Sequence, residues 1–69
     1  MDTLDTSHET AMDWGKPRST RLKAVDHLCS VARRSSNEKN RDKAIEYLQN
    51  IASVIGGDED VKERAQGCL

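Results

Sequence analysis

The chain has no phenylalanine, one tyrosine, one tryptophan and a single proline in 69 residues. With aromatics at 3% it lacks the large rings that dominate most small cores, and its basic residues have no aromatics between them on which single-stranded bases could stack. No strictly apolar run exceeds two residues, so nothing approaches the roughly 20 residues of a membrane-spanning helix. The opening MDTLDTSHET carries acids where a secretory signal has bases followed by an apolar segment, and a cytoplasmic setting is expected by default.

Cysteine is nearly absent too. Two residues make no disulfide framework. Cys29 falls on the apolar stripe of an expected helix and reads as a small buried hydrophobe. Cys68 is the penultimate residue, in a tail expected to fray, and is too near the end for a prenylation signal. A Cys29–Cys68 bridge is possible, but the spacing does not demand it.

The motifs of catalysis are missing as well. No zinc-ligand spacing, phosphate loop or nucleophile elbow occurs. His27 is adjacent to Asp26 and two residues from Cys29, so on a helix neither neighbour shares its face. Gly56-Gly57 runs into Asp58-Glu59-Asp60, which repels phosphate. The expectation is a protein without enzymatic activity, cofactor or metal.

What is present is helical patterning. Leu22, Val25, Cys29 and Ala32 follow the 3-4-3 spacing of a helical seam, with Leu28 beside them, over a first helix near 20–35. Ser19 and Thr20 offer its N-cap, and Arg33 and Arg34 suit its last turn. Ile45, Leu48, Ala52 and Ile55 repeat the spacing, with Ile51 alongside, in a second helix from about 38–40 to Ile55. Asn37 or Asn40 can cap it, and Gly56-Gly57 ends it.

Two short segments flank this pair. Thr6-Ser7-His8-Glu9 matches a capping box and suggests a short helix through Trp14, with a disordered arm as the alternative. Residues 58–69 place acids before Lys62 and Arg64, the right order for a helix dipole, but with few apolar positions they read as a weakly docked turn or a tail.

The fold class expected is all-α: an antiparallel helical hairpin over 19–57, an acidic arm over 1–18, and a short helix or tail over 58–69. A chain this short buries a thin core. Two helices with one stripe each leave part of both stripes wet, so a homodimer with a four-helix arrangement is expected to cover them.

Charge is unevenly placed. Residues 1–15 carry −4, residues 16–43 carry +6 and the remainder −3. The basic block can be a solvated face, a dock for the acidic arm, or a binding site for an acidic protein surface. Nucleic acid is less favoured because acidic segments flank the block. The candidate partner-binding residues are Arg33, Arg34, Lys39 and Arg41 around the inter-helix turn, with Tyr47 at the edge of the second stripe and Trp14 in the arm. The alternative function is a small dimeric DNA-binding regulator, although the break from Ser35 to about Asn40 is long for a helix-turn-helix and has no glycine.

Two resemblances can be stated. Lys43-Ala44-Ile45-Glu46-Tyr47-Leu48-Gln49 looks like the second helix of a tetratricopeptide repeat, but such repeats need about three copies to be stable and the chain holds at most one. Arg41-Asp42 followed by Ala44-Ile45-Glu46-Tyr47-Leu48 resembles small phage-encoded helical hairpins that inhibit host regulators, of the quorum-sensing anti-activator type. In this chain Arg41-Asp42 stands one residue further from Ala44, and the aromatic is Tyr rather than Trp. The resemblance covers about fifteen residues. It implies a dimeric hairpin that inhibits a host protein, with Arg41 and Tyr47 at the contact positions.

Overall fold

The structure, a computed structural model, describes residues 3–53 and 58–69. They form four helices: α1 (Thr3–Met12), α2 (Arg18–Arg34), α3 (Glu38–Ser53) and α4 (Glu59–Gly67). There is no strand among the described residues. The expected capping of the second helix by Gly56-Gly57, and the core position of Ile55, lie outside them.

The helix starts differ from expectation for local reasons. α1 is already helical at Thr3, so the Thr6-Ser7-His8-Glu9 segment lies inside it, and the helix stops at Met12 rather than Trp14. α2 begins at Arg18 behind Pro17, whose fixed φ of −58° suits a helix entry, and no side chain caps it. Ser19 and Thr20 sit within its first turn. α3 uses Asn37 as its cap: Asn37 Oδ1 accepts hydrogen bonds from the backbone N–H of Lys39 (3.0 Å) and Asn40 (3.2 Å). The α2–α3 connection is therefore Ser35–Asn37, shorter than the break expected.

α2 and α3 pack on each other, and both are covered within the same chain. α1 packs against α2 and α3, and so does α4. The buried apolar residues form one cluster: Leu4 and Ala11 from α1, Ala24, Val25, Leu28 and Cys29 from α2, Ala44, Leu48 and Ile51 from α3, and Val61 and Ala65 from α4. The arm and the tail are thus parts of the core, and α1 and α4 cover part of both stripes within the chain.

This cover rotates the stripes. On α3 the buried positions are Ala44, Leu48 and Ile51, while Ile45 is half-buried and outside the packed cluster. That corrects the placement of Ile45 in the core. Residues 44 and 45 differ by about 100° around a helix, and the alanine, not the isoleucine, faces inward. Ala11, Ala24, Ala44 and Ala65 are all buried, and small side chains at contact points let helices approach closely. Leu22, Ala32 and Ala52 pack at the cluster's edge.

The cysteines are the second correction. Cys29 and Cys68 form a disulfide with Cα atoms 5.6 Å apart, within the usual range. Cys29 is buried as expected, but as half of a bridge, and the tail that was expected to fray is tied to α2. Neither sequence periodicity nor spacing reports that α4 ends beside Cys29.

Candidate interaction surface

The arrangement of charges follows from how α1 and α4 dock. Each brings acids onto the basic α2–α3 pair. Lys43 Nζ lies 3.0 Å from Asp5 Oδ1, and Arg18 Nη1 lies 3.2 Å from Asp60 Oδ2. In the reverse sense, Arg64 of α4 donates to both carboxylate oxygens of Asp26 at 2.9 Å. Part of the +6 block is therefore a dock for the chain's own acidic segments.

Two of these docks involve residues weighed from the sequence. Tyr47 donates its hydroxyl hydrogen to Asp5, its ring stacks on His8 with centroids 4.2 Å apart, and Lys43 Nζ lies 5.8 Å from the ring centre. The hydroxyl of this candidate partner-binding residue thus joins α3 to α1. The hydrogen bond from Tyr47, helped by Lys43, holds the Asp5 carboxyl below its ordinary value of 3.8. The same bond, with some loss of hydration, pushes the Tyr47 phenol above its ordinary 10.0. His8 Nε2 is enclosed without a hydrogen-bond partner among the described residues.

Arg21 forms the other dock. Its side chain is 9% exposed, the only buried charged residue among those described. Nη2 donates to Asp58 Oδ2 at 2.6 Å, Nε donates to the Lys16 carbonyl at 3.2 Å, and the guanidinium lies 5.1 Å from the Trp14 ring centre. Nη1 is buried without a hydrogen-bond partner among the described residues. Arg21 thereby ties together the α1–α2 connection, α2 and the start of α4. In the sequence Arg21 is only one member of the basic block over 16–43. A signal existed: positions 21, 24, 25 and 28 share one helix face, so this arginine stands on the apolar side.

Of the remaining cations, Arg33, Arg34, Lys39 and Arg41 gather around the Ser35–Asn37 turn, while Lys16, Lys23 and Lys62 lie apart from it. Arg34 and Lys39 are exposed and Arg41 is half-buried; none of the three makes an ion pair among the described residues. Arg33 is exposed, and its Nη2 donates to the Gly67 carbonyl at 3.2 Å, placing the last turn of α4 beside this basic end. Trp14 is 50% exposed, in the α1–α2 connection. Of the six candidate residues, the structure brings Arg33, Arg34, Lys39 and Arg41 to one turn and leaves Tyr47 and Trp14 elsewhere.

Concave surface is slight. An open groove of about 370 Å³ beside α4 is lined by Leu22, Asp60, Glu63 and Arg64. The described residues contain no group of three or more His, Cys, Asp or Glu that could hold a metal ion, and no helix among them is long and apolar enough to cross a membrane. No protein-family model, no curated protein and no solved structure matches the chain.

Proposed function

We propose that the chain is a small protein-binding adaptor or inhibitor without catalytic activity, and that its contact surface is the basic end formed by Arg34, Lys39 and Arg41, with Arg33 at its edge. One observation carries this reading. Arg18, Arg21, Lys43 and Arg64 are each paired with an acid on another segment; of the cations outside these pairs, Lys16, Lys23 and Lys62 are scattered, whereas Arg34, Lys39 and Arg41 cluster around one short turn. A partner with an acidic surface is the complement, since opposite charge steers encounter and selects the partner. The similarity to phage hairpin inhibitors enters the proposal through Arg41; the other implied contact, Tyr47, is engaged with Asp5 and His8.

The acting form proposed is a monomer in place of the homodimer, because α1 and α4 cover much of the stripes on which the dimer rested, although Leu22, Ala32, Ile45 and Ala52 stay half-buried. Light scattering should give 7.7 kDa; twice that mass restores the second copy. The paired cysteines suit an oxidising compartment, so the cytoplasmic default is not carried forward.

The test uses fluorescence anisotropy with a labelled polyglutamate peptide at about 50 mM salt, where exposed charges are weakly screened. Wild type should bind, and Arg34→Glu combined with Arg41→Glu should weaken binding by at least about tenfold, some 1.4 kcal/mol, with unchanged helical circular dichroism. Equal binding by the variant removes the site.

A second reading, a small DNA-binding regulator, is favoured by the three-residue Ser35–Asn37 turn, a length found in helix-turn-helix proteins. Binding to random duplex that falls steeply between about 50 and 200 mM salt supports it. Absence of binding at the lower salt excludes it.

A further inference from the structure

We propose that the Cys29–Cys68 disulfide is a reducible latch for α4: a dithiol reductant opens it and releases α4, while α1, α2 and α3 remain folded. The inference goes beyond the binding role and does not depend on it.

The attachment of α4 is thin apart from the bridge. Of the eleven buried apolar residues described, α4 supplies only Val61 and Ala65; the other nine lie on α1, α2 and α3. With nine residues, α4 is shorter than the roughly 12–15 needed for even a marginally stable isolated helix. Two of its ion pairs, Arg18–Asp60 and Arg64–Asp26, join side chains that are about half exposed or more, where such pairs contribute little. The Arg33–Gly67 hydrogen bond is exposed as well. Arg21–Asp58 is the one partly buried tie, and it acts at the opposite end of α4 from the disulfide.

The remainder has its own supports. α1, like α4, packs on both α2 and α3 and supplies two buried apolar residues, Leu4 and Ala11; besides these it has the Tyr47–Asp5–Lys43 group, which joins it to α3 without any contribution from α4. The disulfide also closes a loop containing α3, so it constrains the unfolded chain as a whole. A latch, as distinct from a general staple, requires the three-helix remainder to stand without it.

The bridge is placed for exchange. Cys68 immediately follows Gly67, the last residue of α4, and is half-buried, while Cys29 is only 7% exposed. A thiolate of the dithiol attacks Sγ of Cys68; the S–S bond breaks and Cys29 leaves as a thiolate that takes up a proton. The second thiol of the reductant then displaces Cys68 and closes the reductant's own disulfide. Two electrons pass from the dithiol to the two cysteines, which end as thiols. Opening frees Arg33 from the Gly67 carbonyl and uncovers the Cys29 side of α2.

Hydrogen exchange with mass spectrometry on the full chain, oxidised and in millimolar dithiothreitol, decides the matter. Reduction should speed exchange over 59–67 by about tenfold or more while peptides of α2 and α3 change by less than about twofold. Cys68→Ser should show the same pattern without reductant and no response to it. Unchanged exchange in α4 overturns the latch. So does loss of protection across α2 and α3, or global unfolding of Cys68→Ser, since either makes the bridge a general staple.

Discussion

The hydroxyl of Tyr47 donates to the carboxylate of Asp5, 42 positions earlier in the chain, and so fastens α1 to α3. Tyr47 is the sole tyrosine, so its ultraviolet titration reports this contact alone. The phenol should titrate above 10.0, and Asp5→Asn should bring its midpoint back toward that value. An identical midpoint in both proteins disproves the coupling.

The same contact gives the docking of α1 a pH window. Asp5 has a lowered folded-state value, so its contribution is present above 3.8 and disappears as pH falls through the lower folded value. Tyr47 has a raised folded-state value, so its contribution is full below 10.0 and disappears as pH rises through the higher folded value. Hydrogen exchange cannot compare such extremes directly, but thermal melts can. Melting temperature should be level in this contribution between about pH 5 and 9 and fall outside it, with Tyr47→Phe losing the alkaline fall.

Arg21 and Asp58 should respond unequally to truncation. Removing Asp58 strands a buried guanidinium, whereas removing Arg21 leaves a carboxylate that is 39% exposed and can be hydrated. Asp58→Ala should therefore cost about 1–3 kcal/mol. Arg21→Met, which keeps the volume and removes the unpartnered Nη1, should be near neutral or stabilising. Denaturant melts compare the two; a larger loss for Arg21→Met refutes the assignment.

Leu48 and Ile45 separate the observed core from the expected one. Leu48 is fully buried, and Leu48→Ala should cost about 2–5 kcal/mol. For a chain of this size total stability is of order 3–10 kcal/mol, so this variant should be largely unfolded by circular dichroism at modest denaturant. Ile45→Ala should retain most of its stability, because Ile45 lies outside the packed cluster.

Several features were legible from local order alone. The 3-4-3 spacing marks α2 and α3, Asn37 is one of the two caps open for α3, and the acids before Lys62 and Arg64 have the order of a helix dipole without deciding between a helix and a tail for α4. Short-range hydrogen bonding, helix period and dipole charge decide these within one or two turns, so the residues themselves carry the signal. The charge split between acidic ends and a basic middle was equally plain, as was the basic turn at Arg33, Arg34, Lys39 and Arg41.

Tertiary structure alone decided how these pieces meet. The Cys29–Cys68 bridge, the Arg21–Asp58 pair and the Tyr47–Asp5 hydrogen bond join positions 39, 37 and 42 residues apart. No helical period reaches across such distances. The inward turn of Ala44 in place of Ile45 depends likewise on two more helices packing on α3, because the apolar face of a helix is chosen by its neighbours as well as by its own sequence. The sequence by itself determined the two central helices and which segments carry charge, and left both ends open between helix and arm or tail; the packing of α1 and α4 made those ends helical parts of the core and decided which cations pair within the chain.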